Sequence, residues 1–148
     1  MIPLSKFKYK ILAIVFLISI FYGCKKTEGP GGTSTIKGKV IVYDFDAGFQ
    51  NPKPVKIYPA VDESTYIIYG SEGTTYDNNF KTSFDGSYEF KYLQKGKYRI
   101  FSYSTDSTGA KSGILTGVSK IPSIINVEIT SNGSTVNAPD VIILKNKQ

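Results

Sequence analysis

From Thr35 to the C-terminus, apolar residues recur at every second position instead of every third or fourth, as in strands that turn one face inward. "TIKGKVIVYD" sets Ile36, Gly38, Val40 and Val42 on one face and Lys37, Lys39, Ile41 and Tyr43 on the other. "PVKIYPAV" and "STYIIYG" read as two further short strands, rich in the Val, Ile and Tyr that suit a pleated surface. Pro52 and Pro54 exclude a helix between them and the first strand. Near the end, "IINVEIT" alternates Ile125, Val127 and Ile129 with Asn126, Glu128 and Thr130; "SNGS" (131–134) supplies a turn and "DVIILK" a last strand. The expected class is all-β, with short strands and frequent turn signals that point to a sandwich.

"FKTSFDGSYEFKYLQKGKYRIFSYS", Phe80 to Ser104, carries the strongest local signal. Asp85-Gly86 is the dipeptide of a type I′ turn, so it predicts a hairpin between Thr82–Phe84 and Ser87–Tyr92. Tyr88, Phe90 and Tyr92 then share a face. Leu93 and Gly96 mark the next turn, after which Tyr98 and Ile100 point one way and Arg99, Phe101 and Tyr103 the other.

The run Thr82, Asp85, Gly86, Tyr88, Phe90, Leu93, Gly96, Tyr98 and Ile100 resembles the core motif of carboxypeptidase regulatory-like domains, which are transthyretin-like (prealbumin-like) sandwiches. "IKGKVIVYD" and "APDVIIL" fit the first and last strands of that family, so the resemblance spans most of residues 34 to 145. It implies a single prealbumin-like (Ig-like) antiparallel β-sandwich of about seven strands. The stretch Asp62 to Asn79 departs from the pattern, as an extra strand or as a loop able to carry a binding surface. The resemblance is nearly silent on activity, because members serve as peptidase add-ons, transporter plugs and surface repeats.

Charge and the N-terminus change the picture. The net charge is +6, but Lys6, Lys8 and Lys10 precede the apolar run Ile11 to Gly23, and removing that segment leaves +3. So small a field, spread in ones and twos, argues against nucleic acid. A basic start, an apolar run shorter than the roughly 20 residues of a spanning helix, and Gly23-Cys24 at its end make an export signal. The layout resembles the lipobox of bacterial lipoproteins, in which the cysteine is acylated and becomes the first residue of the mature chain. Residues 1–23 are thus expected as signal peptide, 24–33 as a lipidated flexible tether, and 34–148 as the sandwich. An uncleaved anchor, or a buried structural cysteine, is the competing reading of Cys24. Lipid attachment places the protein at the bacterial cell envelope, with the outer membrane as the expected address. With one cysteine no internal disulfide can form.

Candidate chemistry is sparse. The sequence has no histidine, which excludes Ser-His-Asp and Cys-His catalysis and the usual zinc and copper ligands. It also excludes the histidine-dependent hydrolases among transthyretin-like proteins. Carboxylates come in the pairs Asp44 with Asp46, where calcium is the conceivable ligand, and Asp62 with Glu63. An isopeptide link of the kind some adhesin repeats form would need Lys37 or Lys39 with Asn137 or Asp140. Aromatic residues make up 14% of the chain, and Tyr58, Tyr69, Phe101 and Tyr103 are the candidates for an outward binding surface; cross-strand stiffening of the sheet is the competing reading. The sequence thus predicts no catalysis and no cofactor. It points to a tethered module for a protein or glycan partner, or else to a structural subunit of an envelope assembly.

Overall fold

A computed structural model describes residues 28–46, 49–107 and 119–146; Cys24 and the signal segment lie outside them. Nine strands form among the described residues: β1 Pro30–Phe45, β2 Lys56–Pro59, β3 Ser64–Tyr69, β4 Asn78–Lys81, β5 Ser87–Leu93, β6 Gly96–Thr105, β7 Lys120–Ile129, β8 Thr135–Asn137 and β9 Val141–Asn146. They make two sheets, one of β1, β2, β5, β8 and β9, the other in the order β4-β3-β6-β7. The all-β sandwich is therefore present with nine strands rather than about seven, the additions being the short β4 and β8. It is also not purely antiparallel. β8 and β9 run parallel to β1, pairing Ile36 with Val136 and Val40 with Val141.

β1 organises its sheet. Val40 donates to Gly86 O and accepts from Ala60 N, each at 2.9 Å, so β5 and β2 follow one another along the same side. On the other side Thr35 donates to Ser134 O and Lys37 O accepts from Ala138 N, which places β8 and then β9 there. The inward residues predicted for β1 are the buried ones: Ile36, Val40 and Val42. They meet Tyr88, Phe90, Leu93, Val141 and Ile143 of their own sheet and Ile67, Tyr98, Ile100, Val127 and Ile129 of the facing one. Each such side chain contributes about 1.5–3 kcal/mol by leaving water. Two inward polar pairs break the apolar layer without cost: Thr65 and Ser102 hydroxyls bond each other at 3.1 Å, and Ser104 Oγ accepts Leu144 N across the sheets at 2.8 Å.

Three local expectations change. First, β1 starts at Pro30, four residues before the expected boundary, because Gly29 O accepts Gln94 N and the Gln94 side chain donates to Pro30 O, each at 2.9 Å. Residues 28–33 thus belong to the body, and not to the expected 24–33 tether. Second, Asp85-Gly86 does not close a type I′ hairpin. The turn runs Ser83 to Gly86, with Gly86 N donating to Ser83 O and Ser83 N to Ser87 O at 2.9 Å, and only Gly86 takes positive φ, +76°. The strands it joins lie in opposite sheets, since β4 pairs with β3 and β5 with β1. Thr82 explains the divergence: its hydroxyl bonds Ala60 O and Glu63 N, and its backbone bonds Asp62 and Glu63, so the chain is fixed to the β2–β3 corner before the turn begins. Third, Tyr92 does not share the inward face of Tyr88 and Phe90. It sits at φ 59° and is 71% exposed. Leu93 faces both Pro30 and Ser34 at a bulge, which shifts the alternation by one and buries Leu93 instead.

Two glycines are required by contact. A Cβ on Gly38 would lie 2.4 Å from Tyr88 Oη, so the tyrosine covers the β1 backbone. A Cβ on Gly86 would meet Val40 O at 2.7 Å in a conformation that branched residues avoid. Gly86→Val is expected to destabilise by more than about 2 kcal/mol in urea unfolding. The Tyr88 hydroxyl is buried with no hydrogen-bond partner among the described residues, and burial first, then the Asp140 charge, raises its pKa above the ordinary 10.0. Because the folded value lies above the unfolded one, this stability is complete below pH 10 and falls as pH rises past it. Tyr88→Phe should therefore keep or raise the neutral-pH melting temperature and flatten part of its alkaline decline; Tyr98, also raised chiefly by burial, supplies another part.

Candidate ligand-binding face

The outward face of the four-stranded sheet is apolar at its middle. Register places Tyr66 of β3 beside Phe101 of β6 and Phe101 beside Ile124 of β7; Tyr103 lies opposite Pro122, and Arg99 between Ile68 and Asn126. Tyr66 is the hub. Its ring stacks on Phe101 at 5.0 Å and 20°, meets Tyr103 edge-on at 5.6 Å, and is covered by Tyr76 at 4.7 Å. Phe101 and Tyr103 also meet edge-on at 5.5 Å. Phe101 is only 6% exposed although it points away from the main core, whereas Tyr76, Tyr103 and Ile124 are 49%, 40% and 46% exposed. A rigid buried ring is thus framed by three accessible apolar groups.

Tyr76 comes from the loop between β3 and β4, which folds back over the sheet. Asp77 holds it: its backbone N donates to Ile67 O at 2.9 Å and its carboxylate accepts Tyr69 N at 2.7 Å. Arg99 Nη2 donates to Gly73 O, while Arg99 Nε is buried without a partner among the described residues. Beside this guanidinium lies a cleft of about 420 Å³ lined by Gly70, Ser71, Lys97, Asn126 and Glu128 among others. The face therefore has an aromatic half and a polar half.

Of the four aromatic residues singled out from sequence, Phe101 and Tyr103 share this face and the other two do not. Tyr58 is in β2 of the opposite sheet, paired with Val42. Tyr69 points inward, edge-on to Tyr98 at 5.9 Å, and burial raises its hydroxyl pKa. Sequence reasoning missed Tyr66 and Tyr76. "STYIIY" held a signal, since apolar residues on both faces of one strand mean that both faces are covered; Tyr76, in a loop, had none. Cys24 lies outside the described residues.

The carboxylates do not converge. Asp62 pairs with Lys81 at 3.0 Å and Glu63 with Lys145 at 3.1 Å, at the surface. Asp44 is buried near the end of β1, Asp46 is exposed one residue past it, and no group of three or more metal-ligating side chains forms among the described residues. Lys37 stands opposite Asn137 in the parallel register, with Glu89 at 3.0 Å from its amine. The Lys37 side chain is about half exposed and ion-paired with Glu89 at the surface, unlike the buried lysine that an isopeptide link requires.

No family model and no curated protein matches the chain. Among solved structures it is similar to a "putative carbohydrate binding protein" from Pseudomonas aeruginosa, at 11% identity and a TM-score of 0.45, over 81% of this chain and 92% of that one. Likeness at that level assigns neither family nor function to this chain.

The two halves of the aromatic cluster separate by stability. Phe101→Ala should cost about 3–5 kcal/mol through the cavity it leaves, and Tyr103→Ala about 1 kcal/mol, the loss of ring contacts alone. Paired urea titrations measure both.

Proposed function

We propose that this protein is a non-catalytic binding module, a carboxypeptidase regulatory-like sandwich held at the cell envelope by lipid on Cys24, which takes a protein or glycan on the outward face around Phe101. The carrying observation is that Tyr76, Tyr103 and Ile124 remain 40–49% exposed around a nearly fully buried ring. Aromatic stiffening of the sheet alone would leave no reason to keep these packed rings so accessible. Tyrosines fixed in this way offer large amphipathic contact at low entropic cost, as at the centres of recognition surfaces. The adjacent polar cleft adds the Arg99 and Asn126 donors that orient a hydroxylated or peptide ligand. Paired carboxylates facing one another across a closed pocket would instead support hydrolysis, and those singled out here are neutralised by surface lysines or lie apart.

The binding test is a double variant, Tyr76→Ala with Tyr103→Ala, assayed against a glycan array and by crosslinking in native membranes. It should retain the wild-type fold and lose at least about tenfold in affinity, or 1.4 kcal/mol, for whatever the wild type retains, while Tyr58→Ala changes nothing. Undiminished binding by the double variant sinks this surface. The anchor is tested separately, since Cys24→Ser should release the protein from membranes or leave its precursor uncleaved.

A further inference from the structure

We infer that the sandwich meets the bilayer through one defined end, the end carrying the β5–β6 turn and the turn at 131–134, so that the lipid surface is a second contact set by the short tether. This rests on the lipid anchor at Cys24. The folded body begins only a few residues after that anchor. Gly29 is buried; its N donates to Tyr98 Oη at 3.2 Å and its O accepts Gln94 N at 2.9 Å, while Tyr98 Oη donates to Gln94 O at 2.6 Å. The side chain of Glu28 packs beside Gly96 and Gly70. Four peptide steps separate Cys24 from Glu28, at most about 14 Å even when fully extended. An acylated sulfur must sit at the edge of the hydrocarbon, beneath a headgroup layer of about 5–7 Å. Residue 28 can then stand only a few ångströms clear of the lipid surface.

The groups gathered around that exit are fixed by the fold. Ser34 Oγ donates to Ser131 O at 3.1 Å and Gly70 N to Lys97 O at 2.8 Å, so both neighbouring connections end beside residues 94–97. Lys95 and Lys97 are exposed there, with Glu128 opposite Lys97 in the β6–β7 register and the Glu28 side chain beside Gly96, so polar groups of both signs face the lipid surface. β1 runs away from this end, and Asp44, paired with Lys56 of β2, lies roughly 45 Å along it at the usual rise per residue.

The test uses the full acylated lipoprotein in vesicles that contain a headgroup-quencher lipid, with a fluorophore on Lys95→Cys or on Lys56→Cys, the only free thiol in each case. Quenching should be several-fold stronger at position 95. Equal quenching in protein that floats with the vesicles overturns the orientation. Failure to float overturns the anchor reading instead. A long Gly-Ser insertion between Thr27 and Glu28 should abolish the difference, and a difference that survives it overturns the short tether as its cause.

Discussion

A strand of sixteen residues presents more backbone donors and acceptors than one short neighbour can satisfy. Pro30–Phe45 meets this constraint by taking four neighbours, two on each side. The division at Val40, where β5 gives way to β2, forces the chain to turn at Gly86 and at Ala60 within contact of the same strand. The bulge at Tyr92 and the clamp at Thr82 follow from the same demand. They let β5 pair with β1 while β4 remains in the other sheet, and the edge-on contact of Phe80 with Phe90 at 6.4 Å bridges the gap.

The second sheet is built differently. β3 and β6 carry apolar side chains on both faces, one completing the shared core and the other making a small aromatic cluster with its own buried centre. Such a face is costly to leave against water. The loop that supplies Tyr76 covers part of it and is itself pinned by Asp77 and Arg99. What stays open is therefore a bounded apolar area framed by Tyr76, Tyr103 and Ile124.

Period-two alternation made β1 and β7 legible in the sequence, because the inward set there is dictated by the core, whereas β3, β6 and β9 were legible from apolar and aromatic content on both faces. The errors fall where the backbone departs from regular pleating. No propensity rule places a tyrosine at φ 59°, so the shift at Tyr92 could not be read from side-chain pattern. The Asp85-Gly86 signal marked a real turn, yet the partners of the flanking strands depended on hydrogen bonds from Thr82 to a corner twenty residues upstream. Likewise, Phe101 and Tyr103 were identifiable as outward by counting along β6. Their true neighbours were set by strand order, which brought in Tyr66 and left Tyr58 in the other sheet.

The polypeptide enters the body at the tip of its most heavily paired strand. Tension applied at Glu28 is directed along β1, and so loads the ladders to β5 and β8, then to β2 and β9, as a group sliding past one another. Peeling a hairpin breaks its bonds one at a time; this arrangement must yield many together. A globule threaded in that manner is loaded in shear, and not peeled, when it is pulled from the end at which β1 begins.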